Sequence, residues 1–329
     1  METAKYLIHQ IYYAPGQLHS LDPAFLPYDN SASERPQEHE FYVFQKEYLA
    51  GNTKEEITAF LSWKFQEKTG LDGATLFRFC NENPGRDVYC INPFPIEICY
   101  GNIWRQGEMW TPGITAIAQQ LLDRCGYGID LANLPRQLKS MAYCNYWVGT
   151  PRFWDRYMAF CLPLYRWIHN NPDDPLSQRL LSMGDTGRKA TYFSFIFERL
   201  FSTLLATDKS ISYAAYQYSR AELHERYPGC YANFLADLQE LEERRPEDRE
   251  PVLHSRRHQR FLRRQDLAMR LLNRPWIRQR FNRGWPRWES SSLRQKIQEN
   301  RLLRKREMEL FHLLNPAYVH WRRDLPGRG

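Results

Sequence analysis

"ITAFLSWKFQEKTG", residues 57–70, decides how the first half of the chain folds. Its first four residues complete "TKEEITAF", in which Thr53 as N-cap and Glu56 three residues on make the capping-box pattern of a helix start. The run then becomes a short apolar strand at Phe60 and Leu61 and presents Trp63, Lys64 and Phe65 where that strand should end. A helix from Thr53 into a short strand is therefore expected, with a tryptophan and a lysine side by side at its end.

Working outward, strands alternate with helices. "KYLIHQIYY" (5–13) reads as a first strand, followed by a long polar, proline-dotted loop from Ala14 to about Glu38. "EFYVFQKEYLAG" is a helix ended by Gly51, "GATLFRFCNEN" is helical, and "DVYCINPF" (87–94) is a short β-rich run. "GITAIAQQLLDRCG" is an amphipathic helix. "SMAYCNYWVG" leads as a strand through Thr150 and Pro151 into a long helix, with the proline in its first turn. "ATYFSFIFERLFSTLLAT" is a strongly apolar helix that carries Glu198 and Arg199. Such alternation predicts an α/β sheet.

A hydrophobic fraction of 43% and an aromatic fraction of 15% over 329 residues supply a packed core and exclude global disorder. No stretch approaches the roughly 20 apolar residues of a membrane span, and the start lacks a basic region before a long apolar one, so a cytoplasmic protein is expected. Seven cysteines, with no C-x-x-C pair and no zinc-ligand spacing, read as reduced buried thiols. Cys144 among them is a small hydrophobe before it is a nucleophile. Charge is uneven: residues 251–329 hold 20 Lys/Arg against 6 Asp/Glu, a net of +14, which leaves −7 on the first 250 residues of a chain whose total is +7. The division falls in "LEERRPEDREPV" (241–252), giving a body over 1–245 and a basic, amphipathic helical extension over 246–329.

The chain has no G-x-G-x-x-G, no P-loop, no G-x-S-x-G and no H-E-x-x-H. The common dinucleotide, phosphate-loop, serine-hydrolase and zinc-protease chemistries therefore lose their support. What remains is a series of short motifs in order: "QIYY", "LDPAFLPYDNSASERPQEHEFYVF", "FLSWKFQEKTG", "DVYCINPF", "NIWRQGE", "AYCNYWVGTPRFW" and "FIFERLF", over about residues 5–207. In these the chain resembles a little-characterised bacterial family of GT-A-type glycosyltransferases associated with surface-polysaccharide biosynthesis. The resemblance implies a Rossmann-like nucleotide-sugar fold, a nucleotide-sugar donor and a glycan or lipid-linked acceptor.

In such folds ligands lie across the carboxyl ends of the strands. The resemblance accordingly directs attention to Gln10, Tyr12 and Tyr13 for base stacking and edge reading, or for packing the sheet. It also singles out Asp29, Asn30 and Arg35 in the long loop, where an arginine can pair with a diphosphate or the segment can be a solvated turn. Trp63 offers a flat face to a sugar and Lys64 a charge to phosphate, unless Trp63 is core and Lys64 snorkels outward. Asp87 begins the strand of "DVYCINPF" and Asn92 occupies its end, where metal-dependent GT-A enzymes hold a cation with Asp-x-Asp. No Asp-x-Asp occurs in this chain, so no metal ligands are assigned and a Mg²⁺ or Mn²⁺ cofactor stays open. Without a metal, Arg35, Lys64, Arg105 and Arg199 are the cations available to a departing diphosphate. Glu198 inside its apolar helix can act as base for the acceptor hydroxyl or sit in a structural ion pair with Arg199, and Asn145 can bind sugar hydroxyls.

In the extension, "HSRRHQRFLRRQDLAMRLLNRP" and "SLRQKIQENRLLRKREMELFHLL" alternate arginine with apolar residues, and "RPWIRQRFNRGWPRWE" interleaves tryptophan with arginine. This composition fits an anionic membrane surface or a helical hairpin docked on the acidic body, and nucleic acid less well. A non-catalytic nucleotide- or glycan-binding scaffold of the same pathway remains the alternative to an enzyme.

Overall fold

The computed structural model describes residues 6–227 apart from 101, 136–138 and 183–189, together with residues 232, 235, 236 and 239. The chain divides into two units, Met1–Tyr216 and Gln217–Gly329. The basic extension over 246–329 lies outside the described residues.

Ile57–Ser62 is a strand, β3, inside a six-stranded sheet. It pairs in parallel with β1 (Tyr6–Tyr12) and antiparallel with β5 (Trp147–Gly149). The helix expected from Thr53 does not form, and the Thr53 hydroxyl is buried with no hydrogen-bond partner. A strand covered on both faces must be apolar at successive residues, which removes the two-residue alternation that would have told it from a helix. The long loop after β1 contains a further strand, β2 (Leu26–Asp29), at the sheet edge beside β1. Its exposed pattern and Pro27 suit an edge, where one flank has no ladder to complete.

β4 (Val88–Cys90) and β6 (Tyr213–Ala215) complete the order β2-β1-β3-β5-β4-β6. Every strand runs the same way except β5. The carboxyl ends of five strands and the amino end of β5 therefore meet at one edge. The result is a mixed α/β fold compatible with a Rossmann-like arrangement.

One face is covered by α1 (His39–Leu49), α6 (Pro151–Asn170) and α8 (Tyr192–Thr207). Trp147 of β5 is the point on which they converge. Its ring centroid lies 5.2 Å from Phe44 of α1, 4.6 Å from Trp154 of α6 and 5.6 Å from Phe201 of α8. Four large buried aromatics of this kind anchor a core by area and by ring packing, here edge-on for Phe44, tilted for Trp154 and stacked for Phe201. The Trp154 indole also donates to the Thr58 carbonyl of β3 at 3.1 Å. Against the other face lies α3 (Gly73–Glu82), with Phe77 6.0 Å from Tyr6 and Phe79 6.1 Å from Tyr89.

The short helix α2 (Phe65–Thr69) follows β3, and α4 (Ile103–Trp110), α5 (Ile114–Arg124) and α7 (Pro175–Leu181) pack around α8. Asp72, Thr150 and Thr191 each accept a bond from a first-turn amide of α3, α6 and α8, as N-caps do. In the second unit, α9 (Arg220–Arg226) opens with a capping box between Ser219 and Glu222. No helix among the described residues is long and apolar enough to cross a membrane.

Candidate functional site

Four segments meet at the edge formed by the strands' carboxyl ends. α2 is fixed there by Phe65, fully buried with its ring 5.3 Å from Tyr146, and is closed by Gly70 at φ 69°. This places Lys68 against the segment just before β5, where its Nζ donates to Cys144 Sγ at 3.1 Å. The same ammonium lies 5.9 Å from the Tyr146 ring centroid.

Tyr143 to Tyr146 form a tight turn with both central residues left-handed, Cys144 at φ 65° and Asn145 at φ 54°. Buried Tyr143 and Tyr146 hold its ends, the latter through a 3.0 Å bond between its hydroxyl and Ser62 Oγ and through the Ile91 amide on its carbonyl at 2.9 Å. Asparagine tolerates this conformation, whereas cysteine does so at a cost of roughly 1–2 kcal/mol. The third left-handed non-glycine residue among those described is His39, at φ 50°, ψ −132°. It directly precedes Glu40 and sets its ring edge-on to Tyr13 at 6.1 Å. All three strained positions thus border one place, and strain persists where function holds it.

The charges at this place are Lys68, Glu198 of α8 and Glu40 in the first turn of α1. Burial alone would lower the Lys68 pKa, but Cys144, Tyr146 and the Glu198 carboxylate hold it well above its ordinary value. Lys68 is therefore an ammonium throughout the physiological range. Burial pushes the Cys144 thiol up to about 12 despite the lysine, so it is not a thiolate nucleophile at neutral pH. Burial, reinforced by Glu40, holds the Tyr13 phenol well above its ordinary value, and its hydroxyl rests against that carboxylate without a well-formed hydrogen bond. Burial raises Tyr143 as well, with Glu97 and Glu198 adding and Arg199 opposing. The Tyr143 hydroxyl and Asn145 Oδ1 are buried and have no partner.

Of the residues expected from sequence, Glu198, Tyr13 and Asn145 are brought together here. Trp63 and Lys64 lie at the adjacent end of β3, with Lys64 Nζ 4.9 Å from the Trp63 ring. Asn92 stands just beyond β4, its Oδ1 accepting from the Phe94 amide at 2.9 Å.

Others have different work. Gln10 is fully buried and uses its amide to accept from the Asp22 amide at 2.7 Å and to donate to the Ser62 carbonyl at 3.3 Å. Asp29 is exposed at the end of β2 and accepts from Ser31 at 2.9 Å. Bonds from Ser31 and then Tyr12 hold its carboxyl below the usual range. Tyr12 is thereby engaged with Asp29, and the Asn30 backbone N–H donates to the Tyr12 carbonyl at 2.9 Å, while the buried Asn30 Nδ2 has no partner.

Arg35 joins a cluster in which Glu38, only 4% exposed, accepts from Arg35 Nη1 at 3.2 Å and from the Tyr165 hydroxyl at 3.0 Å, with His169 Nε2 3.0 Å from the carboxylate and its ring also against Arg35 Nη1. Arg199 does not pair with its neighbour Glu198. Its Nη2 donates to Gln106 at 2.6 Å and Nη1 to the Phe195 carbonyl at 2.7 Å, tying α8 to α4. Its Nε lies where a Cβ on Gly107 would meet it at 2.8 Å, so glycine is required there. Arg105 is exposed on α4.

Asp87 lies at the opposite, amino-terminal edge of the sheet. There it accepts from the Ser212 amide at 2.7 Å and hydroxyl at 2.8 Å, and faces Arg152 at 3.4 Å.

Sequence reasoning missed Lys68, Glu40, Tyr143 and Tyr146. The one available signal was the Tyr-Cys-Asn-Tyr run, in which asparagine between aromatics marks a left-handed turn. Among the described residues no group of three or more His, Cys, Asp or Glu side chains could hold a metal ion. Comparison with family models, curated proteins and solved structures finds no match.

Proposed function

We propose that the chain is a glycosyltransferase that moves a sugar from a nucleotide-sugar donor to a glycan or lipid-linked acceptor, on a GT-A-type version of the α/β fold. The observation that carries this reading is the placement of Glu198 with the Lys68 ammonium beside the strained Cys144–Asn145 turn, at the edge where α/β sheets bind ligands. Glu198 takes the proton of the acceptor hydroxyl as that oxygen bonds to the anomeric carbon. The bond from that carbon to the donor's phosphate oxygen breaks, and the nucleoside diphosphate leaves with the electron pair. In this reading Lys68 and Lys64, at the carboxyl-terminal edge of the sheet, would meet its charge. The basic extension would hold the enzyme at an anionic membrane surface, where a lipid-linked acceptor resides.

The engagement of Arg35 and Arg199 inside the protein favours a second reading, a nucleotide- or glycan-binding scaffold without turnover. Calorimetric titration with nucleoside diphosphates and nucleotide sugars, with and without Mn²⁺, tests the first reading against the second. A transferase binds one nucleotide family, and Glu198→Gln keeps that binding while donor turnover falls by about 10²-fold or more. Binding with no turnover in the unaltered protein leaves the scaffold. A folded protein that binds no nucleotide refutes the donor site.

A further inference from the structure

Cys144 takes no part in the proposed sugar transfer, yet it is held at φ 65°, a left-handed conformation that cysteine adopts only at a cost. Its Sγ lies 3.1 Å from Lys68 Nζ. That falls within the roughly 3–3.5 Å at which two positioned groups are poised to react. Neither atom is free to drift from the other. Phe65 fixes the helix of the lysine against Tyr146, with ring centroids 5.3 Å apart, and buried Tyr143 and Tyr146 hold the two ends of the cysteine's turn. The ring that anchors the turn also faces the amine, 5.9 Å from Nζ.

Cys144 and Lys68 are each half-buried, so the pair is within reach of a molecule as small as hydrogen peroxide. Cys80, Cys90 and Cys161 are buried, and none of the described cysteines is in a disulfide. Oxidation of a cysteine begins with a sulfenic acid, which condenses with a thiol or a nitrogen that lies against it. At Cys144 the group in contact is an amine.

We propose that Cys144 and Lys68 are a site of oxidative modification, at which hydrogen peroxide joins Sγ to Nζ in a sulfenamide bond that thiols reopen. The modification does not depend on the transferase reading. The Cys144 thiolate attacks one peroxide oxygen, the O–O bond breaks, and the departing hydroxide takes a proton from the Lys68 ammonium and leaves as water. A sulfenic acid and a neutral amine are then in contact. The Nζ lone pair attacks Sγ, the S–O bond breaks, and the second hydroxide takes a proton from nitrogen and leaves as water. Thiolate, ammonium and one peroxide thus give one S–N bond and two waters, the two electrons lost at the S–N pair reducing the peroxide. Reopening consumes two thiols, which become a disulfide as Sγ and Nζ regain their hydrogens. The linked nitrogen is no longer an ammonium, so the oxidised site loses the charge of Lys68. Burial keeps the Cys144 thiol protonated up to about 12, so the bond forms slowly at neutrality and faster in alkali.

The test is mass spectrometry of the full chain after hydrogen peroxide treatment and digestion without reductant. The expected product is a linked pair of peptides containing Lys68 and Cys144, lighter by two hydrogens than the separate peptides and released by dithiothreitol. It should form at least about tenfold faster at about pH 9 than at about pH 7. Oxidation of half-buried Cys125 shows that peroxide has acted. Lys68→Arg keeps the charge without the amine and should carry Cys144 on to sulfinic acid instead. In a folded protein with Cys125 oxidised, an unlinked Cys144, whether intact or as sulfinic acid, overturns the site. A linked pair that carries an extra oxygen overturns the condensation, and a link that persists in Cys144→Ser or forms equally fast at both pH values overturns the role of the Cys144 thiolate.

Discussion

Lys68 and Cys144, 76 positions apart in sequence, are held with the lysine Nζ 3.1 Å from the cysteine Sγ. Each is there because an aromatic neighbour is locked in the core: Phe65 positions the helix of Lys68, and Tyr143 and Tyr146 grip the turn of Cys144. Core packing thus sets the position of a charge, and that charge keeps Glu198 compensated. The site is consequently built on stacked aromatics, with only its strained turn departing from regular structure.

Replacing the lysine should therefore cost stability as well as function. Lys68→Met deprives the Cys144 sulfur of its donor and Glu198 of its nearby cation, and should destabilise by roughly 1–3 kcal/mol in urea unfolding. Adding Glu198→Gln should recover part of that loss, because the second change removes the charge left uncompensated. Strict additivity of the two effects would show that the groups do not interact.

The thiols set a pH dependence. Folding holds Cys80, Cys90 and Cys144 protonated up to about 12 by burial, against an ordinary value of 9.0. Above pH 9.0 the unfolded chain releases protons that the folded chain keeps, so the folded state binds more protons and stability falls as pH rises. Lys68 acts in the same sense: its contribution is full below its ordinary 10.5 and is lost as pH rises through its higher folded value. His9, stacked on Phe60 at 4.9 Å, is lowered by burial and acts oppositely, with stability lost as pH falls below its ordinary 6.5. The urea midpoint should be flat near neutrality and decline on both sides. In the native protein a thiol reagent should modify half-buried Cys125 before Cys80, Cys90, Cys144 and Cys161.

Much of the architecture was legible in the sequence and the site was less so. β1, β4, β5 and the helices α1, α3, α5, α6 and α8 follow from periodicity and from caps such as Thr150 with Pro151. β3 was misread as a helix at its start, because burial on both faces erases alternation and Thr53 to Glu56 mimics a cap. β2 was lost in a loop because an edge strand of four residues with a proline has too little pattern. The site depended on which side chains already had partners, and sequence carries little of that. Gln10, Arg35 and Arg199 have the chemistry of ligand binders, yet each completes an internal bond.

Arg35 illustrates the consequence. Glu38 is nearly inaccessible, accepts from Arg35 and Tyr165 and lies 3.0 Å from His169 Nε2, so Glu38→Ala leaves two donors without their acceptor. A loss of about 2–4 kcal/mol is expected, with Arg35→Ala costing less because its own side chain is 41% exposed. Nucleotide affinity per folded molecule should stay unchanged in Arg35→Ala. A selective loss of affinity, with the urea midpoint unmoved, would return the arginine to the donor site.

Asp87 should behave as a staple. It joins the start of β4 to Ser212, ahead of β6, and to Arg152 in the first turn of α6, all at the sheet edge away from Glu198. Asp87→Asn weakens the charge-assisted bonds and should destabilise by about 1–2 kcal/mol while leaving ligand titrations superimposable on those of the unaltered protein. A changed titration curve would tie this edge to binding.

His39 offers the most direct test of the strain itself. At φ 50°, ψ −132° a side chain is disfavoured and glycine is not, so His39→Gly relieves strain that His39→Ala retains. Both lose the edge-on contact with Tyr13. Glycine gives back part of its gain through the freer unfolded chain, yet it should still be more stable than alanine by about 1 kcal/mol. Equal stability of the alanine and glycine variants would mean that the backbone at His39 is unstrained in solution.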